Sequence, residues 1–242
     1  MALVAVLFVA GCGGGGSGGG GSTQTSSLAT KPARVVLRET SKAVKAASSF
    51  RMSGRIKGFG GDNFVTSGQP VGIDFTVVRD KGVTGSLTVG GSEVDLIVTG
   101  KNAYLRASSA FWKKIVKQQG AGQGAGLAAT LFGNKWLKIP AGKQGLGPFT
   151  SPAKFGSLFN SLTSNLGRLD NKGQTTYKGQ SVVAIESAKG QMLYVSATGT
   201  PYPVAVVKTG GKSSGAVTFD NWNKPITLTA PKGALDLSQF GG

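Results

Sequence analysis

Leu87-Thr-Val-Gly-Gly-Ser-Glu-Val-Asp-Leu-Ile-Val-Thr-Gly-Lys-Asn-Ala-Tyr-Leu-Arg-Ala107 is the stretch that decides the fold. Leu87 and Val89, then Val94, Leu96 and Val98, then Ala103, Leu105 and Ala107 recur at every second position. A period of two sends alternate side chains to opposite faces of a strand, whereas a helix needs spacings of three and four. Gly90-Gly91 and Gly100-Lys101 separate the runs, and both pairs suit tight hairpin turns. The stretch therefore reads as three antiparallel strands with one apolar and one polar face. Glu93 and Asp95 share the polar face and read as solvent-facing, because a catalytic carboxylate pair needs burial or close charge partners.

The same alternation extends upstream through Phe50, Met52, Gly54 and Ile56 and then Val71, Ile73, Phe75 and Val77. Before it, Pro32 opens a predicted helix over residues 32–48, with Ala33, Val36, Leu37, Thr40, Val44 and Ala47 on one face. Downstream, Ser109 suits the cap of a short helix carrying Phe111, Trp112, Ile115 and Val116, and residues 120–126 read as a loop. A strand is expected near 135–139. Ser151 and Pro152 then start a helix over 151–166, whose apolar stripe is Phe155, Leu158, Phe159, Leu162 and Leu166, ended by Gly167. Further strands are expected at about 175–177, 181–187, 192–197, 204–208, 216–219 and 226–229. Helix, meander, helices, meander is an α+β order: a large curved antiparallel sheet with helices gathered on one face.

The chain opens with an apolar run, Ala2 to Ala10, that is too short to span a bilayer but fits the core of a secretory signal. It ends in Val9-Ala10-Gly11-Cys12, which looks like a bacterial lipobox, in which the cysteine is lipidated and becomes the mature N-terminus. Residues 1–11 then form the signal peptide. The first cation is Lys31, so the signal is expected to begin upstream of Met1 or to have been trimmed. Residues 12–30 hold the lipidated Cys12 and a Gly/Ser-rich tether; its two GGGGS blocks equally suit an engineered linker. Residues 31–242 form one domain.

Composition excludes several chemistries. The 242 residues contain no histidine and one cysteine, so there is no Ser-His-Asp or Cys-His machinery, no His-bound zinc, no intrachain disulfide and no CxxC pair. Ser151-Pro-Ala-Lys154 and Lys208-Thr-Gly210 match two serine β-lactamase strings, but the S-D-N element is absent and the two lie too close together. No phosphate-cradling glycine motif occurs. A cofactor and a catalytic role are therefore not expected. The 27 basic and 10 acidic residues give +17, scattered rather than run together. For an exported chain this charge points to anionic headgroups or anionic wall polymers rather than nucleic acid, with Lys113, Lys114 and Lys154 as cations for a headgroup.

Several stretches resemble the LppX/LprG-type lipoproteins of actinobacteria (LppX, LprA, LprF, LprG), within the wider LolA-like group. They are Ser49-Phe-Arg-Met-Ser-Gly54, Asp95-Leu-Ile-Val-Thr-Gly-Lys-Asn-Ala-Tyr-Leu-Arg106 leading into Ala110-Phe-Trp112, and Tyr177-Lys-Gly-Gln-Ser-Val-Val-Ala-Ile185. Met192-Leu-Tyr-Val195 through Pro201-Tyr-Pro203, and Val217-Thr-Phe-Asp-Asn-Trp-Asn-Lys-Pro225 through Ala230-Pro231, complete the set. The resemblance implies a half-barrel of about 10–11 strands whose concave face, covered by helices, encloses an apolar cavity for acyl chains. It implies a lipoprotein at the extracytoplasmic face of the cell membrane that binds acylated lipids or glycolipids and carries them across the envelope, with an envelope transporter as a partner. The lining candidates are Ile73, Phe75, Leu87, Val94, Leu96, Val98, Leu105, Phe155, Leu158, Phe159 and Leu162. The same faces also suit a filled core in a structural or protein-interaction lipoprotein, and periodicity does not separate the two.

Overall fold

The computed structural model describes residues 26–57, 70–100, 102–118, 124–140, 159, 162–164, 166–211 and 214–240. The expected signal, Cys12, most of the tether, Ser151, Lys154, Phe155 and Leu158 lie outside them. Part of the expected tether lies within the described residues. Ser27–Thr30 form a 3-10 turn that buries the apolar side chain of Leu28. Asn171 Nδ2 donates to the carbonyls of Leu28 and Lys31 at 3.1 and 2.7 Å, which ties the turn to the sheet.

Helix α1 is Ala33–Ala46, with Pro32 at its N-cap rather than inside it. Its buried side chains, Ala33, Val36, Thr40, Ala43 and Val44, follow the predicted stripe. Strands β1 (Ser49–Lys57), β2 (Val71–Val78), β3 (Gly82–Val89), β4 (Ser92–Thr99) and β5 (Asn102–Ala107) form the first meander. Helices α2 (Ser109–Gln118) and α3 (Gly124–Phe132) then lead to β6 (Leu137–Pro140). The second meander is β7 (Leu169–Tyr177), β8 (Gln180–Ser187), β9 (Gln191–Ser196), β10 (Pro203–Lys208) and β11 (Ser214–Asp220), followed by β12 (Leu235–Asp236).

Among the described residues these strands make one open twelve-stranded sheet, ordered β12-β6-β5-β4-β3-β2-β1-β11-β10-β9-β8-β7. The α+β reading holds, with twelve strands where 10–11 were expected. The sheet is antiparallel except where β12 runs parallel to β6. The two meanders join at a single seam, β1 against β11, where the Ser53 and Thr218 hydroxyls lie 3.1 Å apart.

Two glycines permit the close strand approach at the seam and within the first meander. A Cβ at Gly54 of β1 would lie 2.0 Å from the Ala216 carbonyl oxygen, and one at Gly85 of β3 would lie 1.9 Å from that of Asp74. Gly85 also has φ +151, which side chains disfavour. Glycine inside a strand marks such bends and close backbone contacts.

Three local expectations are corrected. The cap of α2 is Ser108, whose Oγ accepts from the Phe111 N–H at 3.2 Å, not Ser109. The predicted 120–126 loop is partly helix, since α3 begins at Gly124 and packs on α2 through Trp112 and Phe132. Residues 226–229 are not a strand. That segment follows Pro225 and crosses strand ends: the Ser49 Oγ donates to the Lys224 carbonyl, and a Gly82 Cβ would lie 3.1 Å from Leu228. Both edges of β1 are already occupied, so the segment has no strand beside it to pair with.

Candidate functional site

The predicted lining residues come together on one face. Phe219, Met52, Phe75, Gly85, Leu96, Leu105 and Leu137 lie in register across β11, β1, β2, β3, β4, β5 and β6. Ile73, Phe75, Leu87, Val94, Leu96, Val98 and Phe159 are buried in one continuous cluster, and Leu105 and Leu162 are partly buried against it. Phe155 and Leu158 lie outside the described residues. Each fully buried aliphatic or aromatic side chain contributes about 1.5–3 kcal/mol, so this face dominates the stability of the domain.

The second meander continues the face that the first begins. Val183, Ile185, Leu193, Val195, Val206, Val217 and Phe219 belong to the same cluster and were missing from the candidate list. The signal was available, because Val183/Ile185, Leu193/Val195 and Val217/Phe219 alternate as clearly as the residues of β4.

Helical residues cover this face. Val36 and Val44 of α1 enter the cluster, and Phe111 and Trp112 of α2 pack on it. Phe159 and Leu162 are helical, with the Thr163 N–H donating to the Phe159 carbonyl at 2.9 Å. Gln191 Nε2 donates to the Leu162 carbonyl, fixing this covering segment to β9. An aromatic series runs inward from the surface: Tyr202 stacks on Trp222 at 4.2 Å, Trp222 on Phe50 at 5.0 Å, and Phe50 lies 6.2 Å from Phe219.

Thr40 is the one fully buried polar side chain of α1, and its Oγ1 has no hydrogen-bond partner among the described residues. It faces the apolar side of the helix, so it brings a free hydroxyl to an otherwise hydrocarbon surface.

The opposite face of the first meander is mostly polar, with Val78, Ile97 and Tyr104 as its apolar or aromatic members. Thr218, Ser53, Asp74, Ser86, Asp95 and Arg106 lie in one cross-strand row. Arg51 binds both Asp74 oxygens at 2.7 and 2.5 Å and lies 3.8 Å from Asp220. The hydrogen bond and charge of Asp74 raise the Arg51 pKa further above its usual value. Arg106 donates to Asp95 at 2.8 Å and lies over the Trp136 ring at 4.8 Å. An open cavity of about 400 Å³ lies among Asp74, Ser86, Asp95, Arg106 and Trp136. Its lining is mainly hydrogen-bonding, with Leu96 and Ile97 beside the charged groups, which suits water and polar groups better than acyl chains. Glu93 is exposed and Asp95 is paired, both on this outer face as expected.

No protein-family model and no curated protein matches the sequence. Solved structures do match its fold. The crystal structure of LprF from Mycobacterium bovis superposes with a TM-score of 0.53 at 16% identity, covering 86% of this chain and all of that one. LppX from Mycobacterium tuberculosis follows with a TM-score of 0.48 at 15% identity, covering 81% and 98%. A LolA-superfamily protein from Nitrosomonas europaea gives 0.30 at 6% identity, covering 82% and 96%. The chain therefore shares the fold of LprF. These similarities are ones of fold.

Proposed function

We propose that the chain is an extracytoplasmic lipoprotein, anchored in the cell membrane through Cys12, that binds an acylated lipid or glycolipid against the apolar face of its sheet and carries it within the envelope. The observation that supports this reading is the single apolar face built by both meanders and covered by Phe159 and Leu162. An acyl chain needs a surface of this kind, long and free of charge, and gains about 0.8 kcal/mol for each CH2 it buries. The reading is non-catalytic and has no cofactor and no nucleic-acid partner; on the outer face Asp74 and Asp95 are held in ion pairs by Arg51 and Arg106. A transporter of the envelope or an anionic wall polymer is its expected partner.

A second reading has its own support. Phe159 is 1% exposed and meets Phe219 directly, which is how a filled core packs. In that case the protein is a structural or protein-interaction lipoprotein.

Native mass spectrometry of the full chain, purified from a lipoprotein-processing bacterium, separates the two. A carrier releases a non-covalent acylated lipid on denaturation, even after a high-salt wash, because burial of hydrocarbon is not screened by ions. A filled core releases none. The Cys12→Ser chain removes the covalent acyl groups and keeps the bound ligand in view. It also moves to the soluble fraction, since stable anchoring takes two acyl chains. Unchanged membrane association of this variant overturns the anchor.

A further inference from the structure

Resting on the membrane-anchored reading, we infer that the α2–α3 hairpin is the face by which the folded domain lies on an anionic lipid bilayer. Between Asp95 and Asp170 the sequence contains ten Lys or Arg and no Asp or Glu, so the chain's acidic residues all fall outside this stretch. The hairpin lies inside it. On α2, Lys113, Lys114 and Lys117 are exposed while Phe111 and Trp112 pack inward. On α3, Ala128 is buried and Leu127 and Leu131, four apart and hence on one side, are 63% and 37% exposed. Ile226 is the one other large apolar side chain that is as exposed among the described residues, so two of these three belong to one nine-residue helix. Trp112 meets Phe132 edge-on at 6.0 Å, which joins the two helices into one unit.

Charge and hydrocarbon together select the occupant. A soluble anionic polymer satisfies the lysines but leaves Leu127 and Leu131 in water. A neutral apolar protein surface covers the leucines and strands the lysines. The boundary of an anionic bilayer takes both, with headgroup phosphates at the lysines and the acyl region at the leucines. Because Phe111 and Trp112 reach the inner cluster from this same hairpin, docking brings the apolar interior to within about one helix diameter, roughly 10 Å, of the membrane.

The test uses the full Cys12→Ser chain, so that no acyl anchor contributes, with vesicles of phosphatidylcholine alone or of equal parts phosphatidylcholine and phosphatidylglycerol. Binding is expected on the phosphatidylglycerol vesicles and not on the neutral ones, and it should weaken with salt. Each of Lys113→Gln, Lys114→Gln and Lys117→Gln should lower it about fivefold at low salt. Leu127→Ser with Leu131→Ser should lower it about tenfold or more. Lys189→Gln, Lys232→Gln and Ile226→Ser, exposed outside the hairpin, should leave it unchanged. A Leu127→Cys chain carrying an environment-sensitive dye should shift to the blue on anionic vesicles, and an Ile226→Cys chain should not; this readout does not depend on losing a function. Hairpin variants that bind like the parent overturn the inference, as do control variants that lose binding equally. Loss insensitive to the leucines, with equal binding to soluble polyglutamate, also overturns it. Lipid retained by each chain is measured in parallel. Its absence from the parent counts against the carrier reading alone, while vesicle binding decides the docking face.

Discussion

The ring of Phe159 stands edge-on to that of Phe219, with centroids 6.1 Å apart and planes at 77°. This contact joins the covering segment to β11 and so to the seam between the two meanders. Phe159 is buried in the inner cluster, so Phe159→Ala should cost about 3–5 kcal/mol in chemical denaturation, through lost burial and the cavity left behind. Delipidation separates the readings. If an acyl chain packs on Phe159, removing lipid should deepen the loss in the variant; in a filled core it should leave the difference unchanged.

Gly85→Ala and Gly54→Ala should each destabilise the domain by about 3 kcal/mol or more, since the obstacle is backbone that cannot move aside. Gly126 in α3 provides the contrast. A Cβ there meets nothing within 4 Å, so Gly126→Ala should stabilise by about 0.5–1 kcal/mol through helix propensity. Urea melts of the three variants measure this; equal effects would remove the argument from close strand approach.

Thr40→Val should raise stability by about 1 kcal/mol, because it replaces a buried hydroxyl that lacks a partner by a group of similar shape. Thermal melting of the delipidated chain gives the sign. A fall in stability would mean that the hydroxyl is satisfied.

The C-terminal strand should resist acid. Ser238, through its hydroxyl at 2.7 Å and its N–H at 3.0 Å, and Lys138 at 2.9 Å hold the Asp236 carboxylate. The Ser238 hydroxyl bond is the largest cause of its shift from 3.8 to about 2, followed by Lys138 and the Ser238 backbone. A lowered folded pKa stabilises fully above the unfolded value and is lost as pH falls through the folded one. The attachment of β12 to β6 should therefore persist at pH 4, weaken below 3.8 and be lost near pH 2. Exchange of the Leu235 amide, which donates to the Trp136 carbonyl at 2.8 Å, reports it after correction for intrinsic rates. Asp236→Asn should flatten the profile.

Where side chains alternate against a one-sided core, the sequence was readable. Val94, Leu96 and Val98 carry their own direction, and Gly90-Gly91 marks the turn before them. Where tertiary contact decides, it was not. The Gly-rich start of α3 has the composition of a loop, and helix forms there because Trp112 provides a surface for Phe132. Most of β7 lacks a pattern because it is an edge strand of mixed polar residues interrupted near Gly173, where its register on β8 shifts. Ile226-Thr-Leu-Thr229 alternates perfectly and still forms no strand, since alternation supplies a face but not a free neighbouring strand. For the candidate site, the residues named in the first meander share their face with Val183, Ile185, Leu193, Val195, Val206, Val217 and Phe219 of the second, which carry the same alternating signal and join them through the pairing of β1 with β11.

That pairing has a kinetic consequence. Within each meander, every antiparallel neighbour is also the next strand in the chain, so its contacts close short or moderate loops. The β1–β11 seam instead joins residues such as Ser53 and Thr218, 165 positions apart. Loop-closure entropy makes such a contact slow to form unless both sides are already ordered. The two halves should therefore collapse first as separate hairpin stacks, with the seam forming in the rate-limiting step. Substitutions at Gly54, which lies on the seam, should then slow refolding, while substitutions in the outermost turn Gly179 should act mainly on unfolding.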